Sequence, residues 1–552
     1  MREVMNIPIA IAGGGPVGLM LALFLDRYGV PSVIFNTQAE VRRHPKGSTH
    51  NSRTMEHHRR LGIAPRVRDL CLPINRPTDV SYYTRLTGWE LGRIPMLSEA
   101  DKRRTVANSA LTDQIPEPLL RANQMYVEAF LLAHARTRPN ITVRFGWPLA
   151  GFQEDESGVT VVAESAGSKE TWRAQYLAGC DGGRSFVRRS LALRYHGFAS
   201  LDSPHYGGRQ NATYFRAPTL YRDHLAHRPG WNYWMVNPKG RCTIITLNDP
   251  DECLAVSTGS DDGAPPTDED MAGVILRAVG TDLPIKIVGH WPWTAGVALV
   301  AERFATSRMV LAGDAAHLFT PTGGFGMNTG MDDASNLSWK LAALVRGWGG
   351  ASLLQSYEIE RKPIGYRNTT AARELNKQLA SMPPVDAIDE DSPVGEAQRR
   401  VVSAHLATMS EEYASIGVQL GARYDGSPIV AGNGAAPADD YVLYTPSSVP
   451  GGRAPHCWLG DGRGYGDSLF DHLGLGFTVL RLGGKAPDAG AFEAAAQKRG
   501  VPLKVLDVPH PDARDLYGCD LALIRPDQYV AWRGNAPPLD AERLIAQVTG
   551  AT

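Results

Sequence analysis

Hydrophobic and polar residues change their period several times along this chain, and each change marks an element. Residues 7 to 36 read as strand, turn, helix and strand. "IPIAIAG" and "PSVIFN" are short apolar runs, and "PVGLMLALFLDRYG" between them spaces its apolar residues as one helix face does. Pro16 stands where a helix starts and Gly29 where one ends. Such a unit implies a parallel sheet covered by helices. Between about 190 and 300 the period falls to two, and "NATYFRA", "NYWMVNP" and "GRCTIITLND" predict antiparallel strands of a half-buried sheet. Residues 301 to 346 return to an apolar strand, "RMVLAGDAAH", then a Gly-rich turn and a long helix. The acidic, Pro-rich "MPPVDAIDEDSPVGEA" reads as an exposed excursion, and "GNGAAPADD" as a break.

The tail from about 440 has a pattern of its own. Strand "FTVLRLG", helix "DAGAFEAAAQKRG" and strand "PLKVLDV" are followed by a loop, strands "DLALIRP" and "QYVAWRG", and a final helix, "DAERLIAQVTG". That order is the order of a thioredoxin-like domain.

Composition narrows the picture. A chain of 552 residues exceeds one ordinary core, so two or three domains are expected. With 57 Lys and Arg against 58 Asp and Glu, nothing in the charge calls for nucleic acid or an anionic membrane as partner. No apolar run approaches 18 residues, and the N-terminus enters a strand at once, so no stable membrane anchoring and no secretory leader are expected. Cys71, Cys180, Cys242, Cys253, Cys457 and Cys519 are far apart with no CxxC, which reads as reduced thiols in a cytoplasmic protein and as no metal site. The tail therefore has no redox pair, and a structural or dimer role is expected for it.

Gly13, Gly15 and Gly18 form a GxGxxG turn between the first strand and helix. The first glycine permits the tight turn, the second lets backbone approach a pyrophosphate, and the third lets helix and strand pack closely. The helix N-terminus adds amide donors and a positive dipole end, so the turn predicts a dinucleotide. The second strand ends in Asn36, which can accept from an adenosine ribose hydroxyl without the usual charge. Two further motifs are "CDGGRSFVRRSL" from Cys180 and "VLAGDAAHLFTPTGGFGMNTGMDDASNLSWKLAALVRG" from Val310. Asp314 ends an apolar strand, where a carboxylate can accept from a polyol hydroxyl. The glycines at 323, 324 and 326, with Asn328, leave amides bare at the start of a helix, which favours negative charge on a bound planar ring.

These three motifs, in this order, resemble the single-component flavoprotein aromatic hydroxylases, the class of 4-hydroxybenzoate hydroxylase. Within that class the tail segments "GGRAPHCWLGDG" and "LIRPDQYVAWRG" are similar to the phenol-hydroxylase-like branch. The resemblance implies an α/β (α+β overall) chain. A Rossmann-type FAD-binding domain would occupy residues 1–185 and 301–400, with a mostly antiparallel substrate sheet inserted at 186–300. A linker would follow at 401–440 and a thioredoxin-like domain at 441–552. It implies FAD-binding roles for Gly13, Gly15 and Gly18, for Arg53 and Gln124, for Asp181 and Arg188, for Asp314, and for Pro321, Gly326, Met327 and Asn328. Asn36, Lys46-Gly47 where Arg-Ala is common, and Gln528 where Gly is common depart from the pattern.

The implied activity is NAD(P)H:O2 monooxygenation of a phenolic ring through a flavin C(4a)-hydroperoxide, with NADH or NADPH as co-substrate, in a homodimer. A pocket base or acceptor should polarise the phenol, and Tyr233 and His205 are the candidates. His317 is given a structural role. Three other readings stand beside this one. They are a hydroxylase of polycyclic aromatic polyketides, a halogenase (for which "HWPWTAG" supplies two Trp but not the WxWxIP pattern), and a non-catalytic flavin scaffold.

Overall fold

The computed structural model describes residues 4–200, 208–238, 241–259, 266–413, 415–432, 434–459 and 466–552. Its first sheet is built on strand Val4–Ala12, which pairs in parallel with Ser32–Asn36 on one side and Ser168–Gly179 on the other. Ile141–Phe145 extends it beyond Ser32–Asn36, and Met309–Leu311 pairs in parallel with Ser168–Gly179. Helix Pro16–Arg27 buries ten of its twelve residues against this sheet and against helix Phe325–Arg346. Burial on both sides explains why the first strand reads as an apolar run without alternation.

The second sheet has the strand order Lys286–Thr294, Arg209–Arg216, Glu252–Thr258, Cys242–Thr246, Asn232–Met235, Val80–Tyr83 and Glu90–Ile94. The last two strands come from the segment that the sequence division gives to the first domain. Val80–Tyr83 pairs in parallel with Asn232–Met235 across some 150 positions of chain, a non-local pairing that local pattern cannot reveal. Phe215, Tyr233, Met235, Ile244 and Ala255 lie behind this sheet, packed with Ile275 and Val279 of helix Asp268–Val279.

Two acidic or polar stretches that read as excursion and linker are packed instead. Met382, Val385 and Ile388 recur every third residue of "MPPVDAIDEDSPVGEA" and are buried with Val402, Leu406 and Met409 against Tyr82 and Trp231. The segment 401–440 also contains the end of helix Pro393–Ala407 and the short helix Ile416–Leu420. A thin apolar stripe in polar surroundings is enough to fix a segment to a sheet edge.

The C-terminal sheet runs Leu503–Val508, Phe477–Leu482, Leu521–Ile524, Val530–Gly534, with the first pair parallel and the others antiparallel. Helices Gly490–Lys498 and Ala541–Val548 pack together, and a helix at Pro511–Tyr517 occupies the stretch read as loop. This is the thioredoxin-like domain. Cys457 and Cys519 are buried in its core beside Leu480 and Tyr517. Buried ion pairs join it to the rest. Arg525 meets Glu360 at 2.6 Å, and Arg453 holds Glu56 at 2.5 Å. Pairs this deep repay their desolvation only through good geometry, and losing one partner leaves a buried charge.

Candidate active site

Strand Val4–Ala12 delivers the chain to Gly13 at φ +105°, where a Cβ would come within 2.2 Å of the Cys180 carbonyl oxygen. A Cβ on Gly18 would lie 2.0 Å from the Gly13 carbonyl oxygen, so these two glycines permit backbone to touch backbone. Gly15 differs, since a Cβ there would meet nothing within 4 Å. Its missing side chain opens a cradle over the N-terminus of helix Pro16–Arg27, as a pyrophosphate requires. Asn36 braces the turn: its Oδ1 accepts from the Gly14 amide at 3.1 Å, and its Nδ2 donates to the Gln38 carbonyl at 2.9 Å.

A cavity of about 920 Å³ begins at this turn. Gly13, Gly15, Asn36, Lys46, Gln124, Asp181, Asp314, Pro321, Gly326 and Met327 all line it. Asp181 caps the helix Phe186–Ser190, accepting from the Phe186 and Val187 amides at 2.6 and 3.1 Å. Asp314 sits exposed in the turn Gly313–Ala315. That turn is fixed from behind by Asp333, whose Oδ2 accepts from the Gly313 amide at 3.0 Å and lies 2.6 Å from His317 Nε2. His317 and Asp333 are fully buried, so His317 supports the turn from outside the cavity. Gly323 and Gly324 adopt φ of +76° and +67°, which turns the loop into helix Phe325–Arg346.

Five residues singled out by sequence do not line the cavity, and each has a physical reason. Gly18 is spent on packing. Arg53 is buried against Glu56 at 2.8 Å and donates to the Asp527 carbonyl and to Gln528, so it ties helix Ser52–Arg60 to the C-terminal domain. Arg188 donates to the Gly183 carbonyl at 3.1 Å and to the hydroxyl of Tyr195, which itself donates to the Asp314 carbonyl. It thereby links the Asp181 loop to the Asp314 turn. Asn328 donates to the Thr49 and Gly324 carbonyls and accepts from the Asn51 amide at 2.9 Å, which locks the glycine loop onto strand Thr49–His50. Tyr233 points behind the second sheet, and its hydroxyl donates to the Arg228 carbonyl at 3.3 Å. A one-residue step along a strand changes the face, and Asn232 and Trp234 are the ones that enter the cavity. His205 lies outside the described residues.

The far end of the cavity is the front of the second sheet. Ala212, Trp234, Ile245, Leu254, Val256 and Trp293 form an apolar wall. Trp231 and Trp291 join it; Trp291 stacks on His44 with ring centroids 3.8 Å apart. Arg121, Glu412 and Tyr413, which no motif marked, line the cavity as well. Glu412 belongs to the supposed linker, and burial pushes its carboxyl up to about 7. An acidic residue within "EEY" carries no sequence signal for such a place.

A glycine turn, an exposed carboxylate at Asp314, a glycine loop and an aromatic chamber share one cavity, the arrangement of an enzyme that presents a dinucleotide to an apolar ligand. The comparisons agree. Residues 6–372 match the model of the FAD binding domain, and residues 447–551 that of the C-terminal domain of aromatic-ring hydroxylases. The FAD-dependent monooxygenase apdD of Emericella nidulans is 32% identical over 98% of this chain and 90% of its own length. The 2,4-dichlorophenol 6-monooxygenase of Delftia acidovorans is 29% identical over 96% of this chain and 95% of its own. The solved structure of the rebeccamycin biosynthetic enzyme RebC with reduced flavin superposes with a TM-score of 0.88 at 30% identity, covering 100% of both chains. The chain belongs to the FAD-dependent aromatic-ring hydroxylases. It is a flavoprotein monooxygenase with FAD as cofactor and the family's NAD(P)H as co-substrate.

Proposed function

We propose that the chain hydroxylates a small phenolic aromatic, using O2 and NAD(P)H. The observation that carries this reading is that the cofactor cradle and the tryptophan-walled chamber form one cavity. Gly15 and the amides of helix Pro16–Arg27 would hold the FAD pyrophosphate, Asp314 a ribityl hydroxyl, and the loop from Pro321 to Met327 the ring system. Asn36, Lys46, Gln124 and Asp181 complete that wall, with Arg53, Arg188 and Asn328 acting from behind. Bound FAD supplies the redox chemistry, carrying electrons from the nicotinamide to oxygen. The protein's own part is to exclude water, to orient the ring against the apolar sheet face and to handle the phenol proton.

A second reading, a polycyclic aromatic substrate, is favoured by the four indoles of Trp231, Trp234, Trp291 and Trp293, which offer more flat surface than one ring needs. We place the protein in the cytoplasm, supported by six free cysteines of which five are buried, and as a homodimer. No helix among the described residues is long and apolar enough to cross a membrane. The test is a panel of simple phenols and polycyclic hydroxyquinones. The yellow protein should oxidise NAD(P)H on addition of one class and yield a product one oxygen heavier. NAD(P)H use indifferent to every aromatic, with no oxygenated product, would sink the hydroxylase reading.

A further inference from the structure

Glu412 ends the turn Thr408–Glu412 and stands at the seam between chamber and flavin loop. Its Oε1 accepts from the Gly323 amide at 3.3 Å, and Gly323 belongs to the turn Thr322–Gly324 that opens helix Phe325–Arg346. Two other groups face it. Tyr413 adjoins it in the chain and meets Tyr82 of strand Val80–Tyr83. Arg121 of strand Leu120–Arg121 attracts it electrostatically. That guanidinium is occupied elsewhere: it lies 3.8 Å from the Trp231 ring centroid and donates to Thr49 Oγ1. Among the described residues no cation lies within ion-pair distance of Glu412. A carboxylate taken out of water without such a partner exchanges its proton readily with whatever polar group enters beside it.

We propose that Glu412 is the catalytic base of the chamber, accepting the proton of the substrate's ring hydroxyl. The inference rests on the phenolic reading above. The phenol O–H bond breaks, a carboxyl O–H bond forms, and the negative charge passes from Glu412 to the ring oxygen. The chamber's net charge is unchanged while the ring gains electron density where oxygen is added. The Gly323 amide stays on Oε1 and holds the carboxyl in place through the exchange. Of the candidates from sequence, Tyr233 is behind the sheet, and His205 lies outside the described residues. A buried carboxyl that titrates near neutrality beside the place of chemistry is the pattern expected of a base at work.

Glu412→Gln keeps an oxygen for the Gly323 amide and cannot take up a proton. With simple phenols, the wild-type holoenzyme should show kcat/KM rising with pH through about 7. The variant should retain FAD, lose that limb and fall in kcat by about 10²–10⁴-fold, with KM for phenols rising by only about tenfold. Glu412→Asp should keep a limb and recover part of the rate, and it carries the test should the amide variant not fold. A second readout needs no turnover. Perturbation of the flavin spectrum measures binding of phenol against anisole, which cannot give up a proton. Wild type should prefer phenol by roughly tenfold or more at alkaline pH, and E412Q should lose the preference. If phenols bind with this Glu412-dependent preference yet are not hydroxylated, the simple-phenol reading fails, and Glu412 stands as the chamber's acceptor for the hydroxyl of another ring. Turnover of phenols with rate and pH profile unchanged in E412Q overturns Glu412 alone. No phenol preference in the wild type overturns it as well.

Discussion

The guanidinium of Arg53 donates to Gln528 Oε1 at 2.9 Å, joining the second helix of the cofactor domain to a turn of the C-terminal one. Gln528 has φ +69°, a left-handed conformation that costs a non-glycine residue roughly 1–2 kcal/mol. A hydrogen bond to a buried charge is worth about 1.5–3 kcal/mol and offsets that strain. The family's usual glycine at this place and the glutamine here are thus two solutions to one backbone constraint.

Gln528→Gly should therefore be nearly neutral, losing the bond but releasing the strain. Gln528→Ala keeps the strain without the bond and should cost about 1.5–3 kcal/mol. Urea denaturation ranks the three proteins. An alanine variant as stable as the glycine variant would show that Arg53 gains nothing from Gln528.

Asp314→Ala should weaken FAD binding ten- to hundredfold, the loss of one charge-assisted hydrogen bond of about 1.5–3 kcal/mol, and leave the fold intact. Its backbone turn is fixed independently by Asp333 and Tyr195, so the loss should be local. Titration of apoprotein with FAD measures it. Undiminished affinity would take Asp314 out of the cofactor's hold.

Replacing Cys457 and Cys519 together by Ala should leave aromatic-stimulated NAD(P)H oxidation unchanged. Both are buried, and burial pushes the Cys457 thiol up to about 12 and raises that of Cys519, so neither supplies thiolate at neutral pH. Loss of activity in a folded double variant would show that the thiols do chemistry.

Acid should destabilise the protein earlier than its carboxylates alone require. Burial holds His50, His57 and His456 at about 4, against an ordinary 6.5, and holds His58 well below that ordinary value. The folded state keeps these rings neutral while the unfolded chain binds protons. Their contribution is therefore complete above about 6.5 and lost as pH falls toward 4, each ring contributing up to about 1.4 kcal/mol per pH unit in that window. Glu412, raised to about 7, has the opposite sign, as have Glu117 and Glu128, which burial also raises: their contribution fades as pH rises through the raised values. Denaturation midpoints at about pH 7.5 and about pH 5 decide the matter, and equal values would contradict the buried neutral imidazoles.

By itself the sequence determined what is built from neighbours in the chain. The turn around Gly13 and Gly15, the place of Asp314 and the loop from Pro321 to Met327 were legible because strand, turn and helix follow one another, and backbone geometry there dictates the residue type. The strands of the thioredoxin-like domain were legible for the same reason. Tertiary structure decided everything that depends on which face or partner a side chain meets. In Asn232–Met235 both faces are buried, so apolar alternation could not say whether Tyr233 or Trp234 enters the chamber, and packing against helix Asp268–Val279 settled it. Arg53 and Arg188 looked like cofactor ligands because a cation's type is visible in sequence, but its hydrogen-bond partners are not. Arg53's lie partly 475 positions away. Glu412 became a candidate base only when a segment with the composition of a linker folded against a sheet edge, because its desolvation is a property of the packed chamber and of no stretch of chain.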